Sequence, residues 1–191
     1  MSVVEVEGRR NQNQMELEEG ALQGQEVCRV LLEEGVCPSS GGPTNYQTYN
    51  QSYAAIELGL YKDKIKYVTG GNGPDAQCGG GVDCSGAIIY GIRKIANPKF
   101  PDMSAQQLYD KFSVNGDGGP GTVNYYSDKA GGGIVHATAN VGNGTVVNPY
   151  DEAHGITNPK AGAVSDYFTG KGGTAYPNMQ LNWDLIMQTD Q

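Results

Sequence analysis

Near Gly121 the periodicity of this 191-residue chain changes, and that change restricts its fold more than any other feature. Ahead of it, apolar residues recur at intervals of three or four: Tyr49, Tyr53, Ile56 and Leu60 in YQTYNQSYAAIELGLYKDKIKYV, then Ile88, Ile89, Ile92 and Ile95 in VDCSGAIIYGIRKIANP. Both stripes predict amphipathic helices, the second opening at or just after Cys84 and bounded by Pro98. A shorter helix is expected over residues 104–111, with Ser104 as its N-cap. Beyond Gly121 the runs TVNYYS, GIVHATANV, TVVNPY and AVSDYF are alternating or β-branched and are separated by Gly, Asn and Asp, which predicts strands of an antiparallel sheet. Helices first and strands afterwards argue for an α+β fold rather than an alternating parallel one. Between the two long helices, GGNGPDAQCGGG is too rich in turn formers for regular structure.

Length and charge then remove several classes of function. At 20.3 kDa the chain holds one full domain and a modest appendage. No apolar stretch approaches the ~20 residues a bilayer crossing requires, so no membrane span is expected. The net charge of −8 and the absence of a basic stripe argue against a nucleic-acid partner. Eight acids against Arg9, Arg10 and Arg29 concentrate the negative charge in the first 45 residues. Within that arm Val27, Val30 and Leu31 have helical spacing, and CPSSGGPTN reads as a linker, which divides the chain into an acidic extension, residues 1–43, and a body, residues 44–191. MSVVEVEGRRNQNQ has neither the basic nor the apolar region of a secretory signal. Cys28 and Cys37 flank the end of the arm helix. They would close a short disulfide loop in an oxidising compartment and remain thiols in a reducing one.

Cys84 at the first turn of a helix meets unsatisfied backbone N–H groups and the positive dipole end, an environment expected to stabilise its thiolate. By position alone a small buried residue at a helix start is the commoner reading. A nucleophilic thiol requires a base, and the chain has two histidines. His136 lies within the predicted strand GIVHATANV, whereas His154 lies in the polar loop DEAHG, where a solvated or locally bonded imidazole is expected. Across a hairpin turning at Gly142-Asn143-Gly144, Asn148 stands where it can accept from the His136 ring. Gly86 is expected to leave room beside the sulfur for a substrate carbonyl. Asp83 and Ser85 are read first as residues that satisfy the helix start. Two histidines and scattered cysteines lack the compact spacing of a zinc site, so neither metal nor cofactor is expected.

These segments together resemble the NlpC/P60 cysteine peptidases. Tyr67-Val68-Thr69-Gly70-Gly71 matches that family's Tyr-x-x-Gly-Gly. Asp83-Cys84-Ser85-Gly86 matches the nucleophile motif, HATANVGNG the segment around the base, and Asn148 in VVNP the residue that follows it. Two departures stand out. Thr122 replaces the usual acid in PGTVNYYS, and Ala137-Thr138-Ala139-Asn140 replaces Val-Gly-Ile-Tyr after the base.

The resemblance implies a papain-like fold in which Cys84 attacks an amide carbonyl, His136 carries the proton and Asn148 orients the ring. Tyr67 would line the cleft, and the Cys84 backbone N–H would contribute to the oxyanion hole. Tyr67, Asp83, Ser85 and Gly86 are the expected substrate-side residues. The implied substrate is a peptidoglycan stem peptide, cut between γ-linked D-glutamate and a diamino acid, so the enzyme would act in the periplasm or extracellular space. A secreted wall hydrolase, a phage-type lysin and an antibacterial toxin delivered into a rival all fit, and a delivered toxin would have an immunity or inhibitor protein as partner. Amidase, acyltransferase or transglutaminase-type chemistry at the same site, and a non-catalytic stem-peptide-binding module, are the alternative readings.

Overall fold

The computed structural model describes residues 46–75 and 79–189. The expectations for residues 1–43, the Cys28–Cys37 pair among them, and Cys78 lie outside the described residues. Helix α1 (Tyr46–Lys62) buries Tyr53, Ala54, Glu57 and Leu60 along one face and ends where Lys64 turns to φ 54°. An acidic residue, Glu57, thus shares the stripe with the expected apolar ones. Helix α2 (Cys84–Ile95) buries Ile88, Ile89 and Ile92, and its N-cap is Asp83. Helix α3 (Ala105–Phe112) starts from Ser104 in a reciprocal capping box with Gln107.

Strands β3 (Ser113–Asn115), β4 (Val123–Ser127), β5 (Ile134–Gly142), β6 (Thr145–Asp151), β7 (Gly155–Thr157) and β8 (Ala175–Leu181) form one antiparallel sheet in the order β3-β8-β4-β5-β6-β7. Successive residues of β4 feed two different cores, as a strand's alternation requires. Tyr125 joins Tyr53, Ile88, Ile89, Ile92, Phe100, Leu108 and Phe112 in the cluster made by α1, α2 and α3. Tyr126 points the other way and packs with Val146, Val164 and Phe168. Helix α5 (Trp183–Gln188) closes the first cluster, with the Trp183 indole stacked on Tyr49 and donating to Asn50 Oδ1 at 2.8 Å.

Two expectations require correction. AVSDYF is not a strand but the body of helix α4 (Ala161–Gly170). Its β-prone residues Val164, Tyr167 and Phe168 sit at i, i+3 and i+4, a helical face, and Pro159 just before the helix start and Gly170 at its end bound it. The ends of GGNGPDAQCGGG do pair. β1 (Asn72–Gly73) and β2 (Gly81–Val82) make a two-residue antiparallel ladder that returns the chain to the start of α2.

Candidate active site

The loop ahead of Cys84 is tied down by one carboxylate. Asp83 Oδ1 accepts from the Gly86 N–H at 2.7 Å and from the Ser85 hydroxyl at 3.0 Å, while Oδ2 accepts from the Gly70 N–H at 2.9 Å. Asp83 and Ser85 therefore serve the helix start and join it to the Tyr-x-x-Gly-Gly segment. The space expected at Gly86 is occupied, because a Cβ there would collide with the Gly71 carbonyl oxygen. Gly86 permits backbone contact between two segments rather than entry of a substrate.

His136 is carried by β5 opposite Tyr126, next to an irregularity in the ladder. Tyr126 pairs with His136 and Ser127 with Ile134, which leaves Val135 as the extra residue of a bulge. Bulges bend a strand and redirect its side chains, and here the bulge immediately precedes the histidine. On the other side Ala139 pairs with Val147, so continuing the ladder sets Asn148 level with Thr138 and one diagonal step from His136. The two side chains meet, with 2.7 Å between His136 Nε2 and Asn148 Oδ1. An amide oxygen only accepts, so Nε2 carries the proton and Nδ1 presents its lone pair.

Tyr67, Cys84, Val135, His136, Tyr150, Asp151, Tyr167 and Phe168 line one cleft of about 250 Å³. Burial, followed by the nearby Asp83 carboxylate, pushes the Cys84 thiol up to about 11, against the pull of the backbone N–H groups of Ala137, Ser85 and Cys84 itself. The helix-start position is as expected, but the expected depression of the thiol is reversed. His136, 8% exposed, is shifted the opposite way, since burial disfavours its cation more than Asn148 and Asp83 favour it. Both shifts act in favour of the uncharged forms, thiol and imidazole. The Tyr67 phenol is raised by burial, then by Cys84, Asp83, Asp151 and Glu152, and stays a neutral donor at the cleft wall.

His154 lies 2.7 Å from Asp151 Oδ1 with most of its side chain in solvent, the local pairing expected for it. Tyr150, Asp151, Tyr167 and Phe168 were not among the expected site residues. The first two follow Asn148 on β6 and were within reach of sequence reasoning. Reading Tyr167 and Phe168 as strand residues hid them from view, because a helix is what carries them to the cleft.

No family model and no curated protein matches the chain. Among solved structures, Rv1477, a hypothetical invasion protein of Mycobacterium tuberculosis, matches with a TM-score of 0.50 at 19% identity, over 85% of each chain. The peptidoglycan hydrolase RipB of Mycobacterium tuberculosis matches at 0.44 and 21% identity, over 75% of this chain and 78% of RipB. NlpC2 of Trichomonas vaginalis matches at 0.47 and 21% identity, over 65% of this chain and 45% of NlpC2, so the chain spans less than half of that protein's length. The likeness is one of fold, and the α+β fold expected from the sequence is the one found.

Proposed function

We propose that the chain is a cysteine endopeptidase of the NlpC/P60 kind, with residues 44–191 as its catalytic domain and residues 1–43 as an extension. The observation that carries this reading is the His136–Asn148 bond in the cleft that also holds Cys84 at the start of α2. His136 Nδ1 takes the thiol proton as the sulfur attacks the scissile carbonyl, and the imidazolium returns that proton to the departing amine. Water then hydrolyses the thioester, with His136 again as base, and restores the thiol. Asn148 holds the ring in the tautomer this requires. As the resemblance implies, the Cys84 backbone N–H would meet the developing oxyanion.

The proposed substrate is the peptidoglycan stem peptide, cut at the γ-D-glutamyl bond to the diamino acid, in the periplasm or extracellular space. Support comes from the motif resemblance and from a cleft on a fold that the chain shares with solved hydrolases of this kind. Mass spectrometry of purified peptidoglycan digests tests it. Wild type should release fragments with a new γ-D-glutamyl carboxyl terminus, Cys84→Ala and His136→Ala none, and His154→Ala nearly the wild-type amount. Digestion by Cys84→Ala, or products with the stem peptide intact but detached from sugar, would replace this reading with another. Export of the chain into a bacterial periplasm distinguishes a toxin, which lyses the host unless an immunity protein is supplied, from a wall enzyme tolerated by its producer.

A further inference from the structure

We propose that Phe168 is a positioning residue for the His136 imidazole, the surface against which the ring is held in the plane joining Cys84 to Asn148. The proposal rests on the reading of His136 as the general base. The two rings lie 5.4 Å apart, centroid to centroid, at 19°, a stacked arrangement. Phe168 is itself stacked on Tyr126 at 4.8 Å and 18°, and Tyr126 is the cross-strand partner of His136. Tyr126 and the imidazole are 5.9 Å apart and tilted by 32°, so a residue of α4, a residue of β4 and the imidazole form one aromatic cluster in which Phe168 is the ring nearly parallel to both.

The imidazole needs such a face because its other restraints act at a point or act weakly. One hydrogen bond to Asn148 fixes Nε2 but leaves the ring free to tilt about that contact. The backbone beneath it is interrupted on one side by the bulge at Val135. On the other side, the last residue of β5 toward His136 that pairs with β6 is Ala139. A flat ring of similar size covers the imidazole face and limits the tilt through a preferred ring-to-ring geometry that an aliphatic side chain of equal apolarity lacks. Anchoring is adequate, since Val164 on the same helix is buried against Tyr126 and Val146. The charged and titratable groups that face His136 are Asp83 and Cys84 at the start of α2, Tyr126 on β4, Tyr150 and Asp151 on β6, Tyr167 on α4, and Tyr67. Phe168 is not among them, so its influence is one of geometry and solvent exclusion.

The experiment compares full-length wild type, Phe168→Leu and Phe168→Tyr. It reads kcat and KM on a stem-peptide substrate from pH 5 to 9, and the titration of the His136 ring by 15N NMR in the absence of substrate. Phe168→Leu should lower kcat on the order of 10 to 100-fold with KM within about twofold. It should also move the acidic limb of the profile and the NMR titration to higher pH, toward an ordinary histidine. Phe168→Tyr, which keeps the ring, should restore both. Wild-type kcat and an unmoved titration in Phe168→Leu overturn the proposal, as does a loss that Phe168→Tyr fails to restore. Should Phe168→Leu not fold, Phe168→Met, flexible and without a ring face, takes its place with the same expected outcomes. A wild type inactive on stem peptides would sink the proposed substrate but not this inference, because the NMR titration decides the latter without turnover.

Discussion

Two opposing influences meet on the Cys84 sulfur. A helix N-terminus favours a thiolate by about 0.3–1 kcal/mol at an exposed site, whereas burial and the Asp83 charge act against it and prevail, leaving the thiol near 11. Alkylation by iodoacetamide should therefore be slower for Cys84 at pH 7 than for an unfolded thiol, and should keep rising through pH 9. A plateau below pH 7 would show instead a thiolate–imidazolium pair at rest. Asp83→Asn keeps a good N-cap but removes the charge, so it should speed labelling at neutral pH while costing about 1 kcal/mol for the bond from Gly70 that an amide cannot fully replace. The grouping of Cys84, His136 and Asn148, the proposed nucleophile, base and orienter, was legible in the sequence because each falls in a motif with fixed neighbours, and the structure sets His136 against Asn148 and in one cleft with Cys84. Their protonation states were not, because burial is set by β5 and the loop ahead of α2, which no local spacing reports.

Among the elements, those whose local chemistry agrees with their packing were readable, and α4 shows the opposite case. Ser104 and Gln107 announce α3 by mutual capping, and Asp83 announces α2. In α4 the residue Val164 and the aromatic pair favour strands by intrinsic preference. The second sheet face, which needs a helix to cover Tyr126 and Val146, decides otherwise. Strand β8 lay equally hidden, since AYPNMQL alternates poorly and gains its pairing from β3 and β4. The junction of β1 with α2 rests on the contact of Gly71 with Gly86. Gly86→Ala should destabilise the protein by about 1–3 kcal/mol through overpacking and should displace Tyr67 from the cleft. Chemical denaturation together with a fall in kcat/KM larger than the stability loss explains would verify this. Wild-type stability and turnover in the Gly86→Ala protein would mean that the two segments separate without consequence.

For the molecule as a whole, the seam between α1 and α2 ties stability to pH. Glu57 is 1% exposed, and neither its carboxylate oxygens nor the Tyr53 hydroxyl have a hydrogen-bond partner among the described residues. Gly91 of α2 lies so close that a Cβ there would meet Tyr53 and Glu57. Burial raises the Glu57 carboxyl from 4.5 to about 8, with the nearby Tyr53 hydroxyl acting in the opposite direction. The unfolded chain releases this proton near pH 4.5 and the folded one only near 8, so between those values the native state binds more protons than the unfolded state. Stability is therefore greatest below pH 4.5 as far as this group is concerned, falls by up to about 1.4 kcal/mol per pH unit between 4.5 and 8, and levels off above 8. The full span is on the order of 5 kcal/mol, comparable to the whole stability of many domains. Glu57→Gln keeps the shape and cannot ionise, so the stability difference between the two proteins should drift in favour of Gln by that amount as pH rises from 4.5 to 8. Urea unfolding at pH 4, 5, 6, 7, 8 and 9 measures the drift. A difference that stays constant across the range would mean that Glu57 ionises in the native protein at an ordinary pH, and that the α1–α2 seam admits water or another partner to a carboxylate closed off in this structure.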